Sequence, residues 1–167
     1  NTRMFDLVIY GGTPAGIASA IAAARMGRTV ALIDTHAHFG GMAASGLGKS
    51  DVEKPEYIGG IFTDYTARVL NHYRSRYGDG SRYVQRCKGG YYYEPHVAEA
   101  VFESMLADHD TIVSLKRHRL LDAMVDGGRV RAITLLDMEK DGERTLEGTV
   151  FLDATYEGDL YAAAGAG

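Results

Sequence analysis

The start of the chain follows a pattern of strand, glycine-rich turn, helix and strand. Residues 6–10 are a short apolar run, and residues 11–16 interrupt it with three glycines and a proline. An alanine-rich segment follows over residues 17–26, and alanine is the strongest helix former. A second apolar run over residues 29–33 ends at Asp34. Because continuous apolar strands are typical of a buried parallel sheet, the pattern predicts a βαβ unit.

The turn of this unit has the chemistry of a dinucleotide site. A glycine-rich turn that opens a helix directs backbone N–H groups and the positive end of the helix dipole at one point, which suits a pyrophosphate. Asp34 follows Gly11 by 23 positions, near the spacing of about 20 residues at which an acid binds ribose hydroxyls. Such an acid disfavours a 2′-phosphorylated cofactor. The alternative is a βα turn without a ligand.

One position departs from the fingerprint G-x-G-x-x-G. Gly11 and Gly16 occupy its first and last glycines, but Thr13 stands at the middle one. That glycine normally lets the backbone approach the pyrophosphate closely. Thr13 can still present its N–H or its hydroxyl there, at some steric cost.

Beyond residue 35 the chain alternates between irregular, helical and strand-like segments. Residues 36–55 and 78–90 are expected to be irregular. Apolar residues at steps of three and four predict one helix over about 59–77 and another that begins at Pro95. Strands are expected at 111–115, 120–125, 130–136 and 145–152, with turns at Asp126-Gly127 and Asp141-Gly142. The C-terminal alanines indicate the start of a further helix.

Three motifs together resemble a known family. They are VIYGGTPAG at 8–16, GGMAASGLG at 40–48, and FLDAT at 151–155 followed by Gly158 and Asp159. They look like the FAD-dependent oxidoreductases of the glutathione-reductase-type two-dinucleotide-fold group, near the succinate dehydrogenase and fumarate reductase branch. The resemblance covers the chain from about Asp6 onward. It implies an α/β fold, with a Rossmann-like parallel sheet for FAD and an inserted antiparallel β-meander over 111–152.

The resemblance also implies a cofactor, an activity and a domain. Residues 1–167 would be the N-terminal part of an FAD-binding domain, with the substrate domain and a final FAD-contacting segment outside the sequence. The flavin would accept hydride or electrons from a small organic substrate. No catalytic acid or base can be assigned, and the oligomeric state is open.

The family pattern assigns FAD contacts position by position. Contacts with the pyrophosphate fall to Gly11, Gly12, Thr13, Pro14, Ala15 and Gly16. Contacts with the adenosine fall to Asp34 and Thr35 beside the ribose and to Leu120 beside the adenine. Contacts with the ribityl chain and isoalloxazine fall to Gly40, Gly41, Met42, Ser45 and Gly46. The far strand lines the cofactor with Ala154 and Thr155.

Two other functions remain open. An NAD-binding dehydrogenase would explain the first βαβ unit, but neither the loop at Gly40-Gly41 nor the later strand–turn motif. A flavoprotein that acts on RNA would use residues 68–88, where five arginines and one lysine alternate with tyrosines against one acid. A solvated helix face is the favoured interpretation of that segment. The net charge of −4 argues against a general polyanion binder, so a nucleic acid partner is not expected.

Two histidines and one cysteine could also carry chemistry. The spacing Asp34-x-His36-x-His38 could chelate a metal, but no third ligand or supporting shell is evident, so no metal is expected. A histidine bound covalently to the flavin is a second possibility, and a loop histidine near the phosphates is the default. Cys87 is the single cysteine, which leaves no internal disulfide. No apolar run is long enough for a bilayer, so no membrane partner is expected and the cytoplasm is the default compartment.

Overall fold

A computed structural model of the chain describes residues 4–166. Its contacts divide it into two compact units. The first unit comprises residues 4–39 and 109–166, and the second is Gly40–Asp108. In chain order the elements are β1 (Met4–Tyr10), α1 (Pro14–Arg25), β2 (Val30–Ile33), α2 (Gly41–Ala44), α3 (Ile61–Tyr77), α4 (Arg82–Arg86), α5 (Pro95–Ala107), β3 (Ile112–Leu115), β4 (His118–Asp126), β5 (Arg129–Asp137), β6 (Gly142–Asp153) and α6 (Asp159–Ala163).

The first unit is built on one six-stranded sheet in the order β3-β2-β1-β6-β5-β4. Strands β3, β2, β1 and β6 run parallel, whereas β6, β5 and β4 are joined in antiparallel pairs. Strand β6 therefore belongs to both parts: Val8 pairs with Phe151 in the parallel part, and Ile133 pairs with Leu146 in the antiparallel part. The expected α/β fold with a parallel sheet and an antiparallel meander is confirmed.

Strand β3 corrects one expectation. The segment 111–115 was expected to belong to the meander, but it pairs in parallel with β2, where Val30 faces Ile112. The chain leaves β2 and returns as β3 only after the whole second unit, which is more than the dozen or so residues that a parallel crossover requires. The meander is therefore β4–β6 alone.

Apolar residues on both faces of the sheet form the core of the first unit. Val8, Ile9 and Leu32 are completely buried, as central parallel strands require. On helix α1, Ile17 and Ile21 are buried one turn apart. Each such side chain contributes about 1.5–3 kcal/mol relative to an exposed one.

The second unit packs α3 against α5 through aromatic side chains. The rings of Tyr65 and Phe102 stack with centroids 4.6 Å apart.

The two segments expected to be irregular contain the short helices α2 and α4, whose four and five residues are too few to show a helical period. Gly90 allows a close approach, because a Cβ there would lie 2.0 Å from the carbonyl oxygen of Thr66. Within residues 4–166, no helix has the length and apolar character needed to cross a bilayer.

Candidate dinucleotide-binding site

The glycines of the first turn are required by close packing. Gly11 has φ +118°, and a Cβ there would lie 2.4 Å from the carbonyl carbon of Ala154. A Cβ on Gly12 would lie 2.2 Å from Cδ1 of Phe39, and one on Gly16 would lie 2.0 Å from the carbonyl oxygen of Gly11. No side chain fits at any of the three positions, so the backbone of the turn stays bare and close to the sheet.

Thr13 is the N-cap of α1. Its side chain is buried, and its hydroxyl accepts from the N–H of Gly16 at 3.2 Å and donates to the carbonyl oxygen of Ala154 at 2.7 Å. The hydroxyl is therefore used within the protein, which leaves the N–H as the group that Thr13 presents at the turn. In the described part of the chain, the N–H groups of Thr13 and Ala15 have no acceptor. They lie at the N-terminus of a 12-residue helix, where an anion is favoured.

Asp34 is held at the end of β2 by three hydrogen bonds. Its Oδ2 accepts from the N–H of Gly12 at 2.6 Å, and its Oδ1 accepts from the backbone N–H and from Nδ1 of His36, both at 2.8 Å. An ionised carboxylate offers about four acceptor positions, so about one remains for an outside donor. The link from Asp34 to Gly12 joins the two halves of the fingerprint, the turn and the acid.

A second group of residues lies where the ends of β1 and β2 meet the first residues of β4. The hydroxyl of Tyr10 accepts from the backbone N–H of Leu120 at 2.9 Å and shares a hydrogen bond of 2.8 Å with Oγ1 of Thr35. A cleft of about 480 Å³ opens here, with Thr35, His36 and Leu120 in its lining. The structure thus brings Thr35 and Leu120, which are distant in sequence, to one place.

Ala154 and Thr155 form the turn that follows β6. The N–H of Ala154 donates to the carbonyl oxygen of Tyr10 at 2.8 Å, which fixes this turn against the end of β1. Oγ1 of Thr155 donates to Oδ1 of Asp153 at 2.7 Å and accepts from the N–H of Gly158 at 2.9 Å. The polar side chain of Thr155 therefore organises its own turn.

Asp153 fixes the entry to α6. Its Oδ2 accepts from the N–H of Tyr161 at 2.8 Å, and its Oδ1 accepts from the N–H of Thr155 at 2.9 Å as well as from the hydroxyl. Burial raises the pKa of Asp153, but the hydrogen bonds from Tyr161 and Thr155 outweigh it, so the pKa lies below the ordinary value. Asp153 is ionised at neutral pH.

The remaining expected site residues belong to the second unit. Gly40 has φ +112° and precedes α2, where a Cβ would lie 2.8 Å from Cβ of Ala44. Gly41 and Met42 begin the helix, and the Met42 side chain is exposed. After the helix, the N–H of Ser45 donates to the carbonyl oxygen of Met42 at 3.3 Å, and Gly46 has φ +141° with open space around it.

Two residues near Asp34 were missed by sequence reasoning. Tyr10 looked like one more apolar strand residue, and its hydroxyl contacts lie 25 and 110 positions away. His118 is buried and donates its backbone N–H to the carbonyl oxygen of Asp34 at 2.9 Å. No local sequence signal identifies either residue, because both contacts depend on where the first residues of β4 lie relative to the ends of β1 and β2.

The possible metal ligands and the basic segment 68–88 were the remaining candidates from the sequence. Residues 4–166 contain no cluster of three or more His, Cys, Asp or Glu side chains that could hold a metal. In the basic segment, Arg68 pairs with Asp108 and Arg74 pairs with Asp79, and the guanidinium of Arg82 lies 5.0 Å from the ring centroid of Tyr83. These contacts are typical of a solvated helix face.

Comparison with known proteins gives one family and many similar folds. The family model described as FAD dependent oxidoreductase matches residues 6–167. No curated protein sequence matches the chain. Glycerol-3-phosphate dehydrogenase from Bacillus halodurans, solved with FAD, has 15% identity and a TM-score of 0.67, over 97% of this chain and 36% of its own.

Two further solved structures are similar in fold. Quinol fumarate reductase from E. coli has 19% identity and a TM-score of 0.59, over 93% of this chain and 33% of its own. L-proline dehydrogenase from P. horikoshii has 16% identity and a TM-score of 0.57, over 93% and 23%. The chain therefore spans about a quarter to a third of the length of these proteins.

Proposed function

Because this chain belongs to the FAD dependent oxidoreductase family, we propose that it is the FAD-binding part of an oxidoreductase that acts on a small organic molecule. Membership confirms the family and the cofactor that the sequence motifs indicated. The match favours FAD over the alternative of an NAD-binding dehydrogenase, since the matched family is FAD dependent. When bound, the flavin supplies the acceptor for hydride or electrons, and residues 1–167 supply binding and orientation.

The first turn supports a pyrophosphate contact. Gly11, Gly12 and Gly16 let the turn pack tightly against Phe39, Ala154 and its own backbone, and the N–H groups of Thr13 and Ala15 supply donors at the helix N-terminus. Pro14 has no N–H to leave unpaired, and its fixed φ suits the first helical position. Ala154 and Thr155, which pack against this turn, would line the same end of the cofactor.

The Asp34 carboxylate supports an adenosine contact. Three donors hold it in place and leave about one acceptor position, which suits a ribose hydroxyl. Thr35 and Leu120 line the neighbouring cleft of about 480 Å³, which would take the adenine. A 2′-phosphate would bring negative charge beside this carboxylate, so FAD is preferred over a 2′-phosphorylated cofactor.

The flavin end of the proposed site depends on the sequence motif. Here the family pattern assigns the ribityl chain and isoalloxazine to the segment around α2, namely Gly40, Gly41, Met42, Ser45 and Gly46. The glycines at 40 and 46 have positive φ values, so this segment takes a backbone path that other residues would strain.

A visible absorption spectrum of the full-length protein tests the function. We expect a flavin spectrum, and we expect acid precipitation to release the flavin into the supernatant. Retention in the pellet would instead indicate covalent attachment, for which His36 and His38 would be the first candidates. A full-length protein that shows no flavin even after FAD is added would overturn the proposed function.

A further inference from the structure

The second unit contains a cleft that the FAD contacts do not use. It measures about 290 Å³ and lies where the end of α3, helix α4 and the segment before α5 meet. Six side chains give its chemical character: Tyr73, Tyr83, Tyr92, Tyr93, Arg86 and Glu94. Four aromatic rings, one cation and one anion thus share a space at the lower end of the range for small-ligand sites.

The floor of the cleft is fixed. Tyr73 and Tyr93 are buried. The hydroxyl of Tyr73 donates to Oε2 of Glu94 at 2.6 Å and accepts from the backbone N–H of the same residue at 3.0 Å. Burial, together with the hydrogen bond to Glu94, raises the pKa of Tyr73 to about 12, so this hydroxyl keeps its proton at neutral pH. The Glu94 carboxylate is thereby held at the edge of the cleft.

The two charges of the cleft are not neutralised by neighbours. In the described part of the chain, neither Arg86 nor Glu94 forms an ion pair, although both line the same cleft. Two other cations of this unit have partners of their own: Nζ of Lys49 lies 2.9 Å from Oδ1 of Asp51, and Arg74 pairs with Asp79. Arg86 and Glu94 are therefore two exposed, opposite charges that line one cleft without pairing with each other.

A turn with positive φ values connects two parts of the cleft lining, Arg86-Cys87 and Tyr92-Tyr93. Lys88, Gly89 and Gly90 have φ values of +48°, +72° and +95° in succession, and a lysine in the left-handed region is uncommon. The carbonyl oxygen of Cys87 accepts from the N–H groups of both Gly90 and Tyr92, which carries the chain from Arg86 round to the tyrosines. Strained turns of this kind are found preferentially at ligand sites.

We propose that this cleft binds a small zwitterion, a molecule of amino-acid size that carries one carboxylate and one ammonium group. The guanidinium of Arg86 suits the carboxylate through parallel N–H···O bonds. The Glu94 carboxylate suits the ammonium group through charge. A simple anion would leave Glu94 unpaired beside it, and a simple cation would leave Arg86 unpaired. This site goes beyond the proposed function, because its lining contains none of the assigned FAD contacts and its binding requires no flavin.

Ligand-observed NMR on the full-length protein, with a panel of the common L-amino acids, is the first measurement. The tightest binder is then compared by calorimetry with its deaminated carboxylic acid and its decarboxylated amine. We expect the amino acid to bind at least about tenfold more tightly than either analogue, since each lacks one charged contact. Arg86→Gln and Glu94→Gln should each weaken binding by a similar factor.

Arg76→Gln is the matched control, because Arg76 is an arginine of the same basic segment that does not line the cleft; we expect its affinity to be unchanged. Circular dichroism checks that each variant is folded, and Arg86→Lys, which keeps the charge but loses the planar fork, serves if the glutamine variant is not. Three results would each overturn the site: no amino acid binding below about 10 mM, equal binding of the deaminated acid, or full affinity in Glu94→Gln. The bound flavin, read from its absorbance, reports separately on the proposed function.

Discussion

The hydroxyl of Thr13 donates a hydrogen bond to the carbonyl oxygen of Ala154 at 2.7 Å, which joins residues 141 positions apart. The same hydroxyl accepts from the N–H of Gly16 at the start of α1. One side chain therefore caps the helix and ties the first turn to the end of β6. The threonine that departs from the fingerprint thus has a structural role that glycine could not fill.

Thr13→Val should destabilise the protein, whereas Thr13→Ser should not. Valine removes the cap and leaves the Ala154 carbonyl without this donor, for a loss of about 1–3 kcal/mol in the free energy of unfolding. Serine keeps the hydroxyl and should stay within about 0.5 kcal/mol of the wild type. Urea denaturation measures both variants, and equal stability of the two would contradict the double role of the hydroxyl.

Gly16→Ala should abolish FAD binding and lower stability. An added Cβ would lie 2.0 Å from the carbonyl oxygen of Gly11, so the turn must open. We expect a loss of at least about 2 kcal/mol in the free energy of unfolding, measured by denaturation, and loss of the flavin absorbance. Gly142→Ala is the control, since a Cβ there meets nothing within 4 Å. A Gly16→Ala protein that retained flavin would show that the turn can relax without losing its ligand.

Asp34→Asn should weaken FAD binding without unfolding the protein. The amide oxygen can still accept from the N–H of Gly12, but the charge is lost and the amide nitrogen cannot accept from His36 or a ribose hydroxyl. Hydrogen bonds to charged groups contribute about 1.5–3 kcal/mol, so we expect a Kd for FAD about 10 to 100 times higher. Flavin fluorescence during titration of the apoprotein measures it. Asp122→Asn, at an exposed position of β4, is the matched control, and equal affinities in the two variants would rule out an adenosine role for Asp34.

The contribution of Asp153 to stability should disappear in acid. Its pKa is lowered in the folded protein, so the folded state favours the ionised form. The stabilisation is therefore fully present above the unfolded pKa of about 3.9 and is lost as the pH falls through the lower folded pKa. We expect the stability difference between the wild type and Asp153→Asn to be constant near pH 6 and to shrink below about pH 4. Urea denaturation between these pH values checks the direction, and a difference that grew in acid would contradict it.

Local patterns were sufficient for the first βαβ unit and for the hairpins. The apolar runs, the alanine-rich helix and the aspartate–glycine turns all depend on residues close in sequence. Local pattern does not tell whether a strand pairs in parallel or antiparallel, which is why β3 was assigned to the meander. Its partner β2 lies across the whole second unit.

The same distinction between local and distant contacts applies to the residues of the candidate site. Gly11, Gly16 and Asp34 could be identified from spacing, because their roles follow from one turn and one strand end. The contacts of Tyr10 with Leu120 and of Asp34 with His118 could not, since each depends on the path of β4. The use of the Thr13 hydroxyl was hidden for the same reason, because its acceptor follows β6.

The position of β6 between β1 and β5 has a consequence for synthesis on the ribosome. Tyr10 ends β1, and β6 begins 132 positions later at Gly142, so at about 5–20 residues per second β1 waits roughly 7 to 26 seconds for this neighbour. All of Gly40–Asp108 is made within that interval. The nascent chain therefore completes its second unit first, while the apolar edge of β1 remains open to chaperones until β6 emerges.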